Sequence, residues 1–136
     1  MQKQGTIKMD STVTLVGNLT RDPIVRVTGT GVAVAELSVA VNRRWRAGDG
    51  DERESTSYFS VVAWRSLAEH CAASLHKGDL VMVVGRPEQR SWQTESGDRR
   101  STVEIVADDI GPSLRWATAE VQRTARRTGE GALVAA

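Results

Sequence analysis

The chain has 136 residues, of which 40% are hydrophobic and 26% are charged, and its formal net charge is +1. This length gives one domain with a modest core and excludes a second, enzyme-sized domain. No apolar run approaches the roughly 18 residues of a membrane span, Met1–Asp10 is polar, and a single cysteine excludes an internal disulfide, so we expect a cytoplasmic protein without metal or cofactor.

Three strands are predicted in the first half of the chain. Thr12–Asn18 is rich in β-branched residues and ends at a Gly-Asn pair, which predicts the first strand. Ala33–Val41 alternates apolar and polar residues, as a half-buried second strand does. Gly48–Ser55 is polar and is predicted to be a loop, and Thr56–Arg65 is predicted to be the third strand.

The sequence period then changes to that of a helix. Small and apolar residues recur at helical spacing from Leu67 to Leu75. The pair Ser66 and Glu69 has the spacing of a capping box, and Gly78 is a plausible stop. We therefore expect one helix of about ten residues between the third and fourth strands.

The fourth predicted strand, Leu80–Arg86, is apolar on both faces. A small isolated sheet cannot bury both, so the strand either curls into a closed barrel covered by the helix or places one face in a subunit interface. A polar turn over 95–100 leads to the fifth strand, Thr102–Ala107. This order predicts an all-β fold, a five-stranded OB-fold barrel with one helix between strands three and four, and such barrels commonly bind oligonucleotides.

The two ends of the chain differ in character from this barrel. We expect an N-terminal extension over residues 1–9, the barrel domain over 10–113 and a partly ordered tail over 114–136 that is helical in part or disordered. The simplest interpretation of Trp116, in this tail, is a ring packed back on the domain.

Only six residues are aromatic, so their positions are informative. Tyr58 and Trp64 share one face of the third strand, whereas Phe59 belongs to the apolar face and is the better core candidate. Trp45 and Trp92 lie next to arginines and loops, a poor setting for a core ring. Rings beside cations suit sequence-tolerant binding of nucleic acid, with stacking worth about 1–3 kcal/mol per base. The alternative is packing in the core for Tyr58 and Trp64, and rings folded against their own hairpins for Trp45 and Trp92.

Three features together resemble one known family: the VGNLTRDP turn, the helix that ends in LHKG before strand four, and an aromatic residue followed by an SG hairpin. The family is that of the bacterial single-stranded DNA-binding proteins, and the resemblance runs from about residue 10 to 113. It implies that single-stranded DNA is bound without sequence specificity and protected during replication, recombination or repair. The base-stacking residues that it implies are Trp45, Tyr58, Trp64 and Trp92.

The same resemblance implies a homotetramer of four OB folds, with contacts near Thr12–Leu19 and in the Phe59 region. Family members usually end in a short acidic-hydrophobic tip that recruits replication and repair enzymes, and the last residues here are not acidic. We therefore hypothesise an accessory paralogue that coats DNA and does not recruit replication proteins through such a tip.

Nine basic residues are candidates for phosphate contacts, which would make binding weaken as salt rises. A plain solvated surface charge is the alternative for each of them. These candidates are Arg43, Arg44, Arg46, Arg65, Lys77, Arg86, Arg90, Arg99 and Arg100.

Binding of single-stranded DNA has two alternatives, an RNA-binding or primosome-type module and an enzyme. An OB-fold RNA-binding or primosome-type module would share the barrel and the basic loops. An enzyme needs a metal site or an acid–base cluster, and the candidates are poor: His70 and His76 lack a metal-binding context, and Asp108 and Asp109 are adjacent and would point to opposite faces of a strand. We expect no catalytic residue and no metal ligand.

Overall fold

The computed structural model describes residues 11–128 and 132–134. The predicted N-terminal extension lies outside these residues. So do most of the C-terminal residues on which the hypothesis of a missing acidic tip depends. The elements are β1 (Val13–Leu19), β2 (Ile24–Val27), β3 (Ala33–Arg46), β4 (Glu52–Trp64), α1 (Arg65–Ser74), β5 (Leu80–Gln93), β6 (Arg99–Pro112), β7 (Arg126–Thr128) and β8 (Ala132–Val134).

Five of these strands close into a barrel in the order β1, β5, β6, β4 and β3. The ring closes where β3 pairs with the end of β1, at Asn18–Ala40 and Leu19–Val39. All neighbours in the barrel are antiparallel except β4 and β6, and α1 connects β4 to β5. The predicted five-stranded OB fold, with the helix between the third and fourth barrel strands, is confirmed. Strand β2, which was not predicted, extends the sheet beside β3, and β7 and β8 form a separate pair.

Alternate residues of the barrel strands form the core. Val39, Val61 and Val83 are fully buried in it, and α1 adds Ala68 and Cys71. Each fully buried aliphatic side chain stabilises the fold by about 1.5–3 kcal/mol. Because this core is small, its burial depends on tight closure of the barrel.

Closure of the barrel requires a glycine where β1 crosses β3. A Cβ atom at Gly17 would overlap the carbonyl oxygen of Ala40. The strands can therefore approach this closely only because residue 17 has no side chain.

The helix begins differently from its prediction. Its N-cap is Trp64, which makes no side-chain capping bond, so the predicted capping box at Ser66 is wrong. The chain turns abruptly out of β4 instead, with Arg65 in the left-handed region at a φ of 61°. Gly78, the predicted stop, lies in the turn after the helix, where its φ of 93° suits glycine and its N–H donates to the Leu19 carbonyl over 2.8 Å.

Two hairpins extend much further than their apolar segments predicted. β3 and β4 stay paired as far as Arg46 and Glu52, and β5 and β6 as far as Gln93 and Arg99. Most residues of the outer segments are polar, which is why the sequence pattern predicted a loop over 48–55 and ended the fourth strand at Arg86. Cross-strand contacts between polar side chains, such as Thr56 Oγ1 donating to Asn42 Oδ1 over 2.6 Å, accompany the pairing.

The two faces of β5 have different surroundings. Val81 and Val83 point into the barrel and are fully buried, whereas Met82 and Val84 remain exposed on the outside of this chain. Val16 of β1 lies opposite Met82. Curling into a barrel thus buries one apolar face of β5 and leaves the other face exposed. We call the surface formed by Val16, Met82 and Val84 the aliphatic side.

The segment from Ser113 to Ala125 runs without helix. Trp116 is 77% exposed, so the expectation that its ring packs back on the domain is wrong. Its ring instead lies under the guanidinium of Arg115, 5.5 Å from the ring centroid. Among the residues that the structure describes, no helix is long and apolar enough to cross a membrane.

Candidate nucleic-acid interface

Strand pairing places three of the four predicted rings on one outer surface. Val106 of β6 lies beside Val62 of β4 and opposite Arg86 of β5, so even-numbered residues of β4, of β5 and of β6 as far as Val106 point to the same side. We call this surface of β3, β4, β6 and β5 the outer face. Its aromatic residues are Tyr58, Trp64 and Trp92.

The rings on the outer face are supported by the sheet and open to solvent. Trp64 lies directly opposite Val34, a buried residue, and keeps 40% of its surface exposed. Tyr58 lies opposite the small Ala40 and is 70% exposed. About 20 Å of strand separates these two rings, a distance that several nucleotides of a single strand can span. Each ring therefore offers a free π-surface for a base.

Trp45 is positioned differently from the other three rings. It lies opposite Arg53, on the same side of β3 as the core residue Leu37, and therefore on the reverse of the sheet from Tyr58. The ring stays exposed because β3 has left the barrel at this point. The Arg43 guanidinium lies 5.1 Å from its centroid. The structure thus brings together three predicted stacking rings and places the fourth on the back of a hairpin.

The predicted phosphate contacts are divided in the same way. Five of the nine lie on the outer face, namely Arg44, Arg46, Arg86, Arg90 and Arg100. Arg100 lies directly opposite Trp92. Strand alternation turns Arg43 and Arg99 to the reverse side, and Lys77 lies in the turn after α1, where its backbone N–H donates to Asp22 Oδ1 over 2.8 Å.

Arg65 lies at the margin of this surface, directly after Trp64. Its left-handed backbone costs roughly 1–2 kcal/mol for a residue with a side chain. The side chain is exposed. Arg65 thus places a cation next to the predicted stacking ring of Trp64. At this residue the chain turns abruptly away from the direction of β4.

Carboxylates accompany three arginines of the outer face, and the sequence reasoning missed them. The pairs are Arg44 Nε with Glu54 Oε2 at 3.1 Å, Arg86 Nη1 with Asp108 Oδ1 at 3.0 Å, and Arg90 Nη1 with Glu104 Oε2 at 3.3 Å. The signal that could have found Glu104 was the alternation of the fifth strand, which turns it away from its buried neighbour Ile105.

Two observations concern metal-binding and nucleophilic groups in the described part of the chain. In those residues, no three side chains of His, Cys, Asp or Glu are grouped to hold a metal ion. Burial of the Cys71 thiol, with a smaller effect from the Asp109 carboxylate, raises its pKa to about 11. A thiol with so high a pKa is a weak nucleophile at neutral pH.

A closed five-stranded barrel with exposed rings and arginines on its outer face defines the class of OB-fold oligonucleotide-binding proteins. Comparison with known proteins narrows this class. The chain belongs to the single-strand binding protein family, whose model matches residues 10–113.

Relatives with this description cover most of the chain. A single-stranded DNA-binding protein from Bifidobacterium longum is 44% identical over 124 residues, which are 90% of this chain and 56% of the relative. One from Mycobacterium tuberculosis is 44% identical over 124 residues, 90% of this chain and 76% of the relative. A crystal structure of a deletion mutant of the single-stranded DNA binding protein from Thermus aquaticus matches with a TM-score of 0.69 and 33% identity, covering 77% of this chain and 51% of that one.

Proposed function

We propose that this chain binds single-stranded DNA without sequence specificity and catalyses no reaction. The observation that carries the proposal is the set of three exposed rings on one face of an OB barrel, with arginines on the same face. Bases of a single strand present free π-surfaces that can stack on such rings, and arginines can contact the phosphates between them. Coating of this kind would protect DNA during replication, recombination or repair, and we place it in the cytoplasm.

The proposed stacking residues are Tyr58, Trp64 and Trp92 on the outer face, with Trp45 on the back of the β3–β4 hairpin. A strand that reaches Trp45 has to pass around the edge of this hairpin. The proposed phosphate contacts on the outer face are Arg44, Arg46, Arg86, Arg90 and Arg100, and Arg65 adds a cation at its margin. The other candidates could contact the DNA only where it leaves the outer face; they are Arg43, Arg99 and Lys77.

We further propose that four copies assemble through the aliphatic side. Val16, Met82 and Val84 form an apolar surface on the barrel, bordered by the exposed Asp109 opposite Val84, and an exposed apolar surface gains from being covered by another chain. Phe59 packs partly against the core cluster and lies on β4 away from the stacking rings. Assembly would also multiply the thin positive charge of one chain along a bound strand.

Quenching of tryptophan fluorescence by oligo-dT tests the binding proposal. The experiment uses a Trp116→Phe background, so that the three remaining tryptophans, all proposed to stack, supply the whole tryptophan signal. We expect strong quenching that saturates, with an affinity that falls as salt is raised. Absence of quenching by the oligonucleotide would contradict stacking.

The same titration with oligo-rU tests the alternative of an RNA-binding module. Tighter binding of oligo-dT than of an RNA strand of equal length would support the DNA-binding function. Tighter binding of oligo-rU than of oligo-dT would favour the RNA-binding function instead.

A further inference from the structure

The ion pairs of this molecule are concentrated on the outer face. Of the five pairs between described side chains, three join an outer-face arginine to a carboxylate. A fourth, Arg26 with Glu36, continues the same side onto β2. Exposed pairs of this kind contribute little to stability, so stability does not explain their placement beside the rings.

These carboxylates are well placed to oppose a phosphate. Each lies within 3.0–3.3 Å of the guanidinium that a phosphate would use. Glu104 is the most enclosed of them, since its side chain is 19% exposed while Arg90 remains open. A phosphate that reaches such an arginine must displace a negative group and remain close to it.

We infer that Glu54, Glu104 and Asp108 determine the preference of this surface for single strands over duplex DNA. The inference rests on the proposed function. Duplex DNA offers a dense row of phosphates with its bases stacked inside, so a protein surface can hold it only by charge. Arginines that are already neutralised give little of that attraction. A single strand offers its bases as well, and the three rings hold it by stacking, which the carboxylates do not oppose.

This division of roles accounts for the small net charge of the chain. A row of uncovered arginines would bind any nucleic acid at low salt. With three of the five outer-face arginines covered, binding depends more strongly on whether a base can reach a ring. The face thus selects strands whose bases are free.

The test compares two double variants of the full-length chain with equal changes in net charge. Glu104→Gln with Asp108→Asn removes two carboxylates from the outer face and leaves amide oxygens that can still accept from the arginines. Glu69→Gln with Glu120→Gln is the control, because both of these exposed residues lie away from the outer face, on α1 and after β6. Affinities are measured by fluorescence anisotropy for a labelled oligo-dT and for a duplex of equal length.

We expect the outer-face variant to gain affinity for the duplex by at least about threefold more than for oligo-dT, since condensed counterions are denser on duplex DNA than on a single strand. The control should change the ratio of the two affinities by less than about twofold. Equal gains on both ligands, or no gain on either, would overturn the inference. Failure of the unchanged chain to bind oligo-dT would instead overturn the proposed function, together with the inference that rests on it.

Discussion

Strand β5 belongs to two surfaces that differ in chemistry although they lie on one barrel. Its first half, with Met82 and Val84, forms the aliphatic side, and its second half carries Arg86, Arg90 and Trp92 on the outer face. The register with β6 shifts between these halves, at Val84 and Gly85, where Asp108 is the extra residue of β6. Such a bulge increases the local twist of the paired strands, so the two halves of β5 can serve surfaces that point in different directions.

The comparison shows how the type of exposed apolar group indicates the partner. Adjacent aliphatic groups gain from being covered by another protein chain. Flat rings interspersed with arginines and carboxylates suit bases, which stack on a ring while their phosphates meet a polar surface. Exposure by itself does not distinguish the two surfaces, since Met82 and Trp92 are both 47% exposed.

The strongest test of this comparison removes two rings from the outer face. Tyr58→Ala with Trp92→Ala should cost about 2–6 kcal/mol in the free energy of binding oligo-dT, because each lost stacking contact is worth about 1–3 kcal/mol. Fluorescence anisotropy with labelled oligo-dT measures the loss. Trp116→Ala is the control, since it removes an equally open ring that lies outside the outer face. An equal loss of oligo-dT affinity in the Trp116→Ala variant would show that any exposed ring can stack on a base, whether or not it lies on the outer face.

A charge on the aliphatic side tests the other half of the comparison. Met82→Asp should weaken assembly by at least about 2 kcal/mol, because covering the surface would then bury an unpaired carboxylate. Sedimentation velocity over a range of protein concentrations measures the change. The matched variant Val103→Asp, on β6 away from this side, should keep the wild-type assembly. If both variants assemble like the unchanged chain, the aliphatic side is not the subunit interface.

A smaller effect is expected at the margin of the outer face. Arg65→Gly should raise the free energy of unfolding by about 1 kcal/mol, because glycine adopts a φ of 61° without steric cost from a Cβ atom. Urea denaturation measures this gain. Arg65→Ala keeps the Cβ atom and should show no such gain, while both variants lose the same cation and the same part of the DNA affinity. A gain of equal size in the alanine variant would assign the effect to the lost charge.

The sequence predicted the barrel because its strands are short apolar, β-branched or alternating segments, and the helix has its own period. It missed β2, whose four residues are all exposed in this chain and show no buried face. It also shortened both long hairpins, since most residues of their outer segments are polar. Tyr58 and Trp64 were proposed from strand alternation, and Trp45 and Trp92 from their setting among arginines, neither of which needs tertiary information.

The sequence by itself determined the class of fold, because periodicity and composition are local properties of the chain, and it supplied the four rings as candidates for stacking. Only the tertiary structure decided that Trp45 lies on the reverse of the sheet from Tyr58, and that carboxylates distant in sequence cover Arg86 and Arg90. Both results depend on strand register, which is fixed by the pairing of residues 14 to 22 positions apart. A register shift of one residue would turn every side chain to the opposite face, so the composition of the binding surface follows from the pairing of the strands.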